Sequence, residues 1–383
     1  MTNLHPDDTI ALTQQLIRCD SVTPREAGSL DVMQTYLESI GFSCQRLPFG
    51  EGEARVDNLV ARYGASGPHI GFAGHVDVVP VGDEAAWSVP PFAAVIQNGH
   101  LIGRGAEDMK GAVAAFATAC KRFLDKNKPA GSISLILTCD EEADAIYGTD
   151  PVMRVLQQQN NIPDCCIVGE PTNPTEMGQM AKIGRRGSYG ATITIHGKQG
   201  HVAYPQLADN PVPKLAAIVH EISTHVLDNG DTYFQASNLE VVTMDVGNKA
   251  SNVIPAHATA RLNVRFNTHQ SGEKLEKWLH EVCNKHAGDK YELTGRASAQ
   301  AFVCPPGKLA DIITRAVTEI SGRKPELSTT GGTSDARFIQ AYCPVVEYGT
   351  TGRTAHMVDE NVRVDDVINL SRTYERALEL FFS

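Results

Sequence analysis

No apolar run in these 383 residues approaches the roughly 20 positions that span a bilayer. Nor is there a surplus of positive charge. Lys and Arg number 34 against 45 Asp and Glu, a net charge of −11. That argues against nucleic acid as the main partner, while a local Arg cluster could still hold a small anion. Met1 to Asp8 is polar and lacks the basic-then-apolar order of a signal peptide. The nine cysteines include no C-x-x-C pair, and Cys165-Cys166 sits inside an apolar run, where packing is expected before a bridge. An odd number of thiols fits a reducing compartment. Repeats and low-complexity tracts are absent as well. The expectation is a cytoplasmic chain with no membrane span and no nucleic-acid partner.

What is present is an ordinary globular composition, 42% hydrophobic and 21% charged. The length exceeds what one core normally serves, so two domains are expected. Helical spacing marks Asp8 to Arg18, Gly28 to Ile40 and the Ala-rich Met109 to Leu124. Strands are expected at Asn58 to Arg62, His69 to Val79, Ser132 to Thr138 and Cys165 to Val168. The middle of the chain changes character. Ser188 to His196, Leu239 to Val246, Ala258 to Phe266 and Tyr291 to Ala297 read as strands, with helices at Val212 to Leu227 and Gly272 to His286. That β-α-β-β-α-β order is the ferredoxin-like split unit. The earlier pattern then returns, with a helix at Leu309 to Ile320, a strand at Pro344 to Tyr348 and a closing helix at Val367 to Phe382. The expected fold is α/β, with a mixed-sheet catalytic domain over 1–186 and 298–383 and an inserted βαββαβ domain over 187–297.

Five segments carry residues of metal-ligand type: Gly74-His75-Val76-Asp77, Gly105-Ala106-Glu107-Asp108, Cys139-Asp140-Glu141-Glu142, Gly169-Glu170-Pro171 and Thr354-Ala355-His356. Three follow an apolar strand directly, at the carboxyl edge where open α/β sheets bind ligands. Together they supply two His and enough carboxylates for two divalent ions, the inventory of a hydrolase that ionises one water and polarises the bond it attacks. His75 and Asp77, two apart in an extended segment, point to one side, which makes Asp77 a candidate acceptor for the second ring nitrogen of His75. Asp108 opens the Ala-rich helix and could be an N-cap, a bridge between ions, or both. Of Glu141 and Glu142, one can bind a metal while the other, its pKa raised by crowding and burial, takes a proton; spacing alone does not say which. Pro171 restricts Glu170 to extended backbone. His356 lies in a polar loop and gains weight only by completing the set. With a shared Asp and a shared water each ion reaches four ligands, which suits Zn²⁺ and tolerates Co²⁺ or Mn²⁺. Arg185, Arg186 and Arg265 offer forked donors for substrate carboxylates.

Gly74-His75-Val76-Asp77-Val78-Val79-Pro80, Gly103-Arg104-Gly105 through Asp108-Met109-Lys110-Gly111, Glu141-Glu142, Gly169-Glu170-Pro171-Thr172 and His356 together resemble the di-zinc aminoacylase and carboxypeptidase family of metallopeptidases, from about Thr9 onward. Gly184-Arg185-Arg186-Gly187-Ser188, His201-Val202-Ala203-Tyr204-Pro205, Asn252-Val253-Ile254-Pro255 and Ser328 through Phe338 narrow the likeness to bacterial members that hydrolyse N-succinyl-L,L-2,6-diaminopimelate. The resemblance implies a homodimer with two Zn²⁺ per chain, releasing succinate and diaminopimelate for lysine and cell-wall precursor synthesis. Asp108 would bridge the ions, His75 and Glu170 would hold one, and Glu142 and His356 the other. Glu141 would be the general base, Asp77 would orient His75, and His201 would stabilise the oxyanion, reaching the partner's site. Arg185, Ser188, Tyr204, Asn252, Arg265, Gly332 and Thr333 would bind substrate, the inserted domain would dimerise, and the Asp108–Met109 bond would be cis. One departure is Ala143, where the family often has Gly after the paired Glu. Two rivals stand beside this reading: another N-acyl-amino-acid deacylase, such as an acetylornithine deacetylase, and a non-catalytic binding module. The second would be marked by loss of a ligand or of the base, and none is lost.

Overall fold

The computed structural model describes residues 8–383; the polar segment read at Met1 to Asp8 falls almost wholly outside them. The chain divides into two compact units. Among the described residues the first comprises 8–183, 304–328 and 334–383, and the second 184–303 and 329–333.

The first unit is built on an eight-stranded mixed sheet. Its order is Ser43–Arg46, Leu59–Tyr63, Ser132–Thr138, His69–His75, Cys165–Val168, Val345–Glu347, Met180–Lys182 and Glu326–Ser328. The four middle strands, from Ser132–Thr138 to Val345–Glu347, run parallel, and antiparallel strands extend the sheet on both sides. Ser132–Thr138 is buried at every position, the near-continuous apolar run that a strand covered on both faces requires. Helix Gly111–Lys126 owes its Ala content to close neighbours. Asp8–Arg18 and Val364–Phe381 pack against it, and Thr118 Oγ1 lies 2.8 Å from Thr9 Oγ1 and 3.0 Å from Ser371 Oγ. Phe116 of this helix stacks on Phe72 with ring centres 4.3 Å apart, and Tyr374 meets both rings edge-on.

The second unit has the β-α-β-β-α-β order. Its antiparallel sheet runs Asn238–Asp245, His257–Phe266, Gly187–His196, Tyr291–Ala299. Strand burial alternates along Gly187–His196 and His257–Phe266, and the inward positions Ile193, Ile195, Leu262 and Val264 share a core with Leu215, Ile218, Leu275 and Leu279 of the two helices. Those helices begin where sequence chemistry places them. Asn210 caps Val212 N ahead of Pro211, and Ser271 caps Lys274 N.

Candidate metal centre

His75 ends its strand with its side chain 1% exposed. Its Nδ1 lies 2.8 Å from the main-chain carbonyl of Asp77, and the Asp77 carboxylate stands farther off, at 3.6 Å. The ring is thus oriented by the carbonyl. The buried carboxylate instead faces the main-chain N–H groups of Glu141 and Glu142, at 3.4 and 3.2 Å. Burial pushes Asp77 up to about 6, opposed by His75 and the N–H groups it accepts from.

With Nδ1 at a carbonyl, Nε2 lies 3.1 Å from Asp108 Oδ1 and 3.6 Å from Glu170 Oε1; in a neutral ring it would present a lone pair there, and against the effect of burial Asp108 and Glu170 hold the ring well above the usual imidazole range. Across Asp108 the pattern repeats: His356 Nε2 is 3.4 Å from Asp108 Oδ2 and 3.0 Å from Glu142 Oε1. Asp108 therefore offers one oxygen to each imidazole. The trios His75–Asp108–Glu170 and Asp108–Glu142–His356 each bring their ligand atoms within 4.8 Å of one another. Lone pairs facing carboxylate oxygens repel unless a proton or a cation lies between them. Two atoms each about 2.0–2.1 Å from a tetrahedral ion stand roughly 3.3 Å apart, and the observed separations scatter around that value. The donor set thus fits two divalent cations. In their place a proton answers the same charge: Asp108 and Glu142 push His356 up to about 10. Burial pushes the Asp108 carboxyl upward, but His356 and His75 outweigh it and hold it well below the usual carboxylate range.

Glu141 belongs to neither trio. Burial drives its carboxyl well above the ordinary value against the opposing pull of His75, and Asp335 and Glu142 add to the rise. Asp140 closes its loop by accepting from Ile146 N and Tyr147 N at 2.9 and 2.8 Å. Ala143 is exposed. The left-handed residue of this loop is Ala145, at φ 53°, so the missing Gly at 143 leaves no strain there. The Asp108–Met109 bond is cis.

Spacing had assigned no role to Glu107, Arg104 or Glu360. Glu107 accepts from Thr351 Oγ1, Arg353 N, Thr354 N and Thr354 Oγ1 at 2.5–3.1 Å, which sews the His356 loop to the Asp108 segment. Arg104 and Glu360 form a buried ion pair of 2.7 Å alongside. The one signal available was acidic or basic residues abutting ligand segments, and that is common on any surface.

In the second unit, the expected substrate residues form two groups. Arg185 is 6% exposed and donates to Gly332 O at 3.2 Å, next to Thr333. Ser188 lies opposite Arg265 in the ladder, and Asn238 flanks Arg265 on the other side. The second group is His201, Tyr204 and Asn252. His201 pairs with Val253, and Val202 N donates to Asn252 O at 3.1 Å. His201 is exposed, and Ala203 N donates to its Nδ1 at 3.0 Å, so the neutral ring carries its proton on Nε2 as an outward donor. The ladder separates the groups. From Ser188 to His196 the strand covers about 26 Å at ~3.3 Å per residue, and the Gly200–His201 ribbon continues beyond that end.

The chain as a whole has relatives among known proteins. Residues 71–380 match the model of peptidase family M20/M25/M40. The chain belongs to that family. An M20 chain named succinyl-diaminopimelate desuccinylase, from Rhodospirillum centenum, is 54% identical over 378 residues, 98% of each chain. One of the same name from Rhodospirillum rubrum is 50% identical over 388 residues, again 98% of each. Among solved structures, aminopeptidase PepT of Bacillus cereus shares the fold with a TM-score of 0.78 at 17% identity, over 99% of this chain and 100% of that one. The YXEP protein of Bacillus subtilis, described as a dinuclear metal binding peptidase from the M20 family, gives 0.71 at 14% identity over 98% and 97%. As an M20 member, the chain is a metal-dependent hydrolase.

Proposed function

We propose that this protein hydrolyses N-succinyl-L,L-2,6-diaminopimelate to succinate and L,L-2,6-diaminopimelate, as a cytoplasmic homodimer with two Zn²⁺ per chain, replaceable by Co²⁺ or Mn²⁺. The observation that carries the chemistry is Asp108, set between two imidazoles with one oxygen toward each. The substrate rests on 54% identity across nearly the whole of a relative named for that reaction. All nine cysteines are free, which suits a reducing compartment, and among the described residues no helix is long and apolar enough to cross a membrane.

His75, Asp108 and Glu170 would hold one ion, and Asp108, Glu142 and His356 the other. Ions held there would acidify a water and polarise the scissile amide. Glu141, with its affinity for protons raised by burial, takes the proton of the attacking water and passes it to the leaving amine nitrogen. His201 Nε2–H donates to the oxygen that gains charge as the carbonyl becomes tetrahedral. Arg185 and Arg265 bind substrate carboxylates, with Ser188, Tyr204, Asn252, Gly332 and Thr333 completing the pocket. Asp77 holds the Glu141–Glu142 turn in place.

The test is metal analysis joined to a substrate panel. Two ions per chain, with the succinyl substrate turned over far faster than N-acetylornithine, is the expected result. Faster cleavage of N-acetylornithine overturns the named substrate, and a chain that binds no metal overturns the chemistry.

A further inference from the structure

Arg104 is 2% exposed and Glu360 0%. A charge pair that deep loses hydration worth about as much as its attraction returns, so stability alone gives it no reason to exist. Its other bonds supply one. Glu360 Oε1 accepts from Glu107 N at 3.0 Å and from Asp108 N at 3.1 Å. Arg104 Nη1 donates to the Met357 carbonyl at 3.2 Å as well as to Glu360. Arg104 Nη2 donates to the Pro80 and His356 carbonyls at 3.3 and 3.4 Å. One member of the pair thus grips the amide of Asp108 and the other the carbonyl of His356. His356 needs such a grip: at φ 65° it occupies the left-handed region that a side chain adopts only when its surroundings enforce it. The pair itself is braced. The Trp87 ring covers the guanidinium at 5.3 Å, Gly103 N donates to Glu360 O at 2.9 Å, and the next residues, Asn361–Arg363, pair with His100–Ile102. His75 and Glu170 are delivered instead by the central sheet, His75 ending one strand and Glu170 following another.

We propose that the Arg104–Glu360 pair is a positioning device for one of the two ion sites, that of Asp108, Glu142 and His356, and sets its affinity separately from the site of His75, Asp108 and Glu170. The inference rests on the two-ion reading, and the experiment keeps the two apart. Metal-free protein is titrated with Zn²⁺ by calorimetry, and absorption is followed as Co²⁺ is added. Wild-type protein that takes up fewer than two ions overturns the two-ion reading and this inference with it. Given two, Glu360→Gln is expected to weaken the ion of Asp108, Glu142 and His356 about 10–100-fold and the other, which shares only Asp108 with it, distinctly less, with the Co²⁺ spectrum changed mainly in the second equivalent. Arg104→Lys keeps the charge but cannot bond both sides at once, and the same selective loss is expected. If Glu360→Gln does not fold, Trp87→Leu uncovers the guanidinium without removing a bond of the pair and should weaken the same ion to a smaller degree. Wild-type affinity at both sites in the folded variants overturns the proposal. So does equal weakening of both sites together with a lowered melting temperature, the signature of a merely structural pair.

Discussion

Glu141 and Glu142 are neighbours in sequence with opposite surroundings. Asp77 receives the N–H of both, which fixes the turn. Glu142 Oε1 meets His356 Nε2 at 3.0 Å, whereas burial raises the Glu141 carboxyl well above its usual value against the pull of His75, with Asp335 and Glu142 adding to the rise. Spacing could not divide the two roles, because both residues share one stretch of backbone; the contact with His356, 214 positions away, supports giving Glu142 to the metal. Glu141→Gln is therefore expected to lower turnover by about 10²–10⁴ while both metals stay bound. Glu142→Gln should lose an ion. Metal analysis giving the reverse would exchange the assignments. The arginines pose a similar question. Arg186 is lowered by burial and by the nearby charge of Arg265, and two guanidiniums in repulsion favour an anion beside them. Arg265→Ala should cost roughly 1.5–3 kcal/mol of transition-state binding on the succinyl substrate and much less on a simple acetylated amino acid. Equal losses on the two substrates would make Arg265 structural.

Elements differed in how legible they were. Gly111–Lys126, Ser132–Thr138 and the six elements of the second unit lie close to where periodicity placed them, because each is long enough to show its period and buries a continuous face. Ser43–Arg46, Met180–Lys182 and Glu326–Ser328 escaped: three or four residues carry no period, and a ladder partner distant in the chain decides their state. Helix Thr149–Gln158 escaped too, since its buried stripe is only Val152, Met153 and Leu156. Gly74 and Gly169 were legible as signals but not as causes. A Cβ at either would meet Met109 Cε, at 2.5 and 2.6 Å, so both make room for the residue after Asp108. The strand that delivers His75 carries a pH liability at its other end. His69 is buried with Nε2 2.6 Å from Ser134 Oγ, and burial, helped by Arg62 and opposed by Asp164, pushes it down to about 4. Its folded value lies below the unfolded one of about 6.5, so the unfolded chain binds more protons between the two, and stability falls as pH drops through that window. Metal-free protein should lose roughly 2 kcal/mol from this group between about pH 7.5 and about pH 5. Urea unfolding of His69→Gln at both pH values should show a correspondingly smaller loss; parallel losses would exonerate His69.

At the scale of the whole molecule the question is how two groups of substrate residues serve one reaction. The Arg185–Ser188–Arg265 group and the His201–Tyr204–Asn252 group sit at opposite ends of the Gly187–His196 strand, about 26 Å apart or more. A substrate about as long as a tripeptide, on the order of 10 Å, cannot touch both groups of one chain. If both act on it, one group must come from a second copy, and in the proposed symmetric dimer each site would combine its own Glu141 with the partner subunit's His201. His201→Ala should therefore fold, dimerise and hold two metals, yet turn over about 10²–10³-fold more slowly, the usual cost of one oxyanion donor. Glu141→Gln should be dead for its own reason. Mixed and allowed to exchange subunits, the two inactive proteins form heterodimers in which one site lacks both groups and the other lacks neither. At equal mixing about half the dimers are of this kind, each with one working site, so about a quarter of wild-type turnover should return. Were His201 to act within its own chain, every site in the mixture would lack one group or the other, and no activity would return even with exchange demonstrated by mass spectrometry of labelled subunits. The recovered fraction therefore decides between a dimer that merely stabilises its two sites and one that completes them.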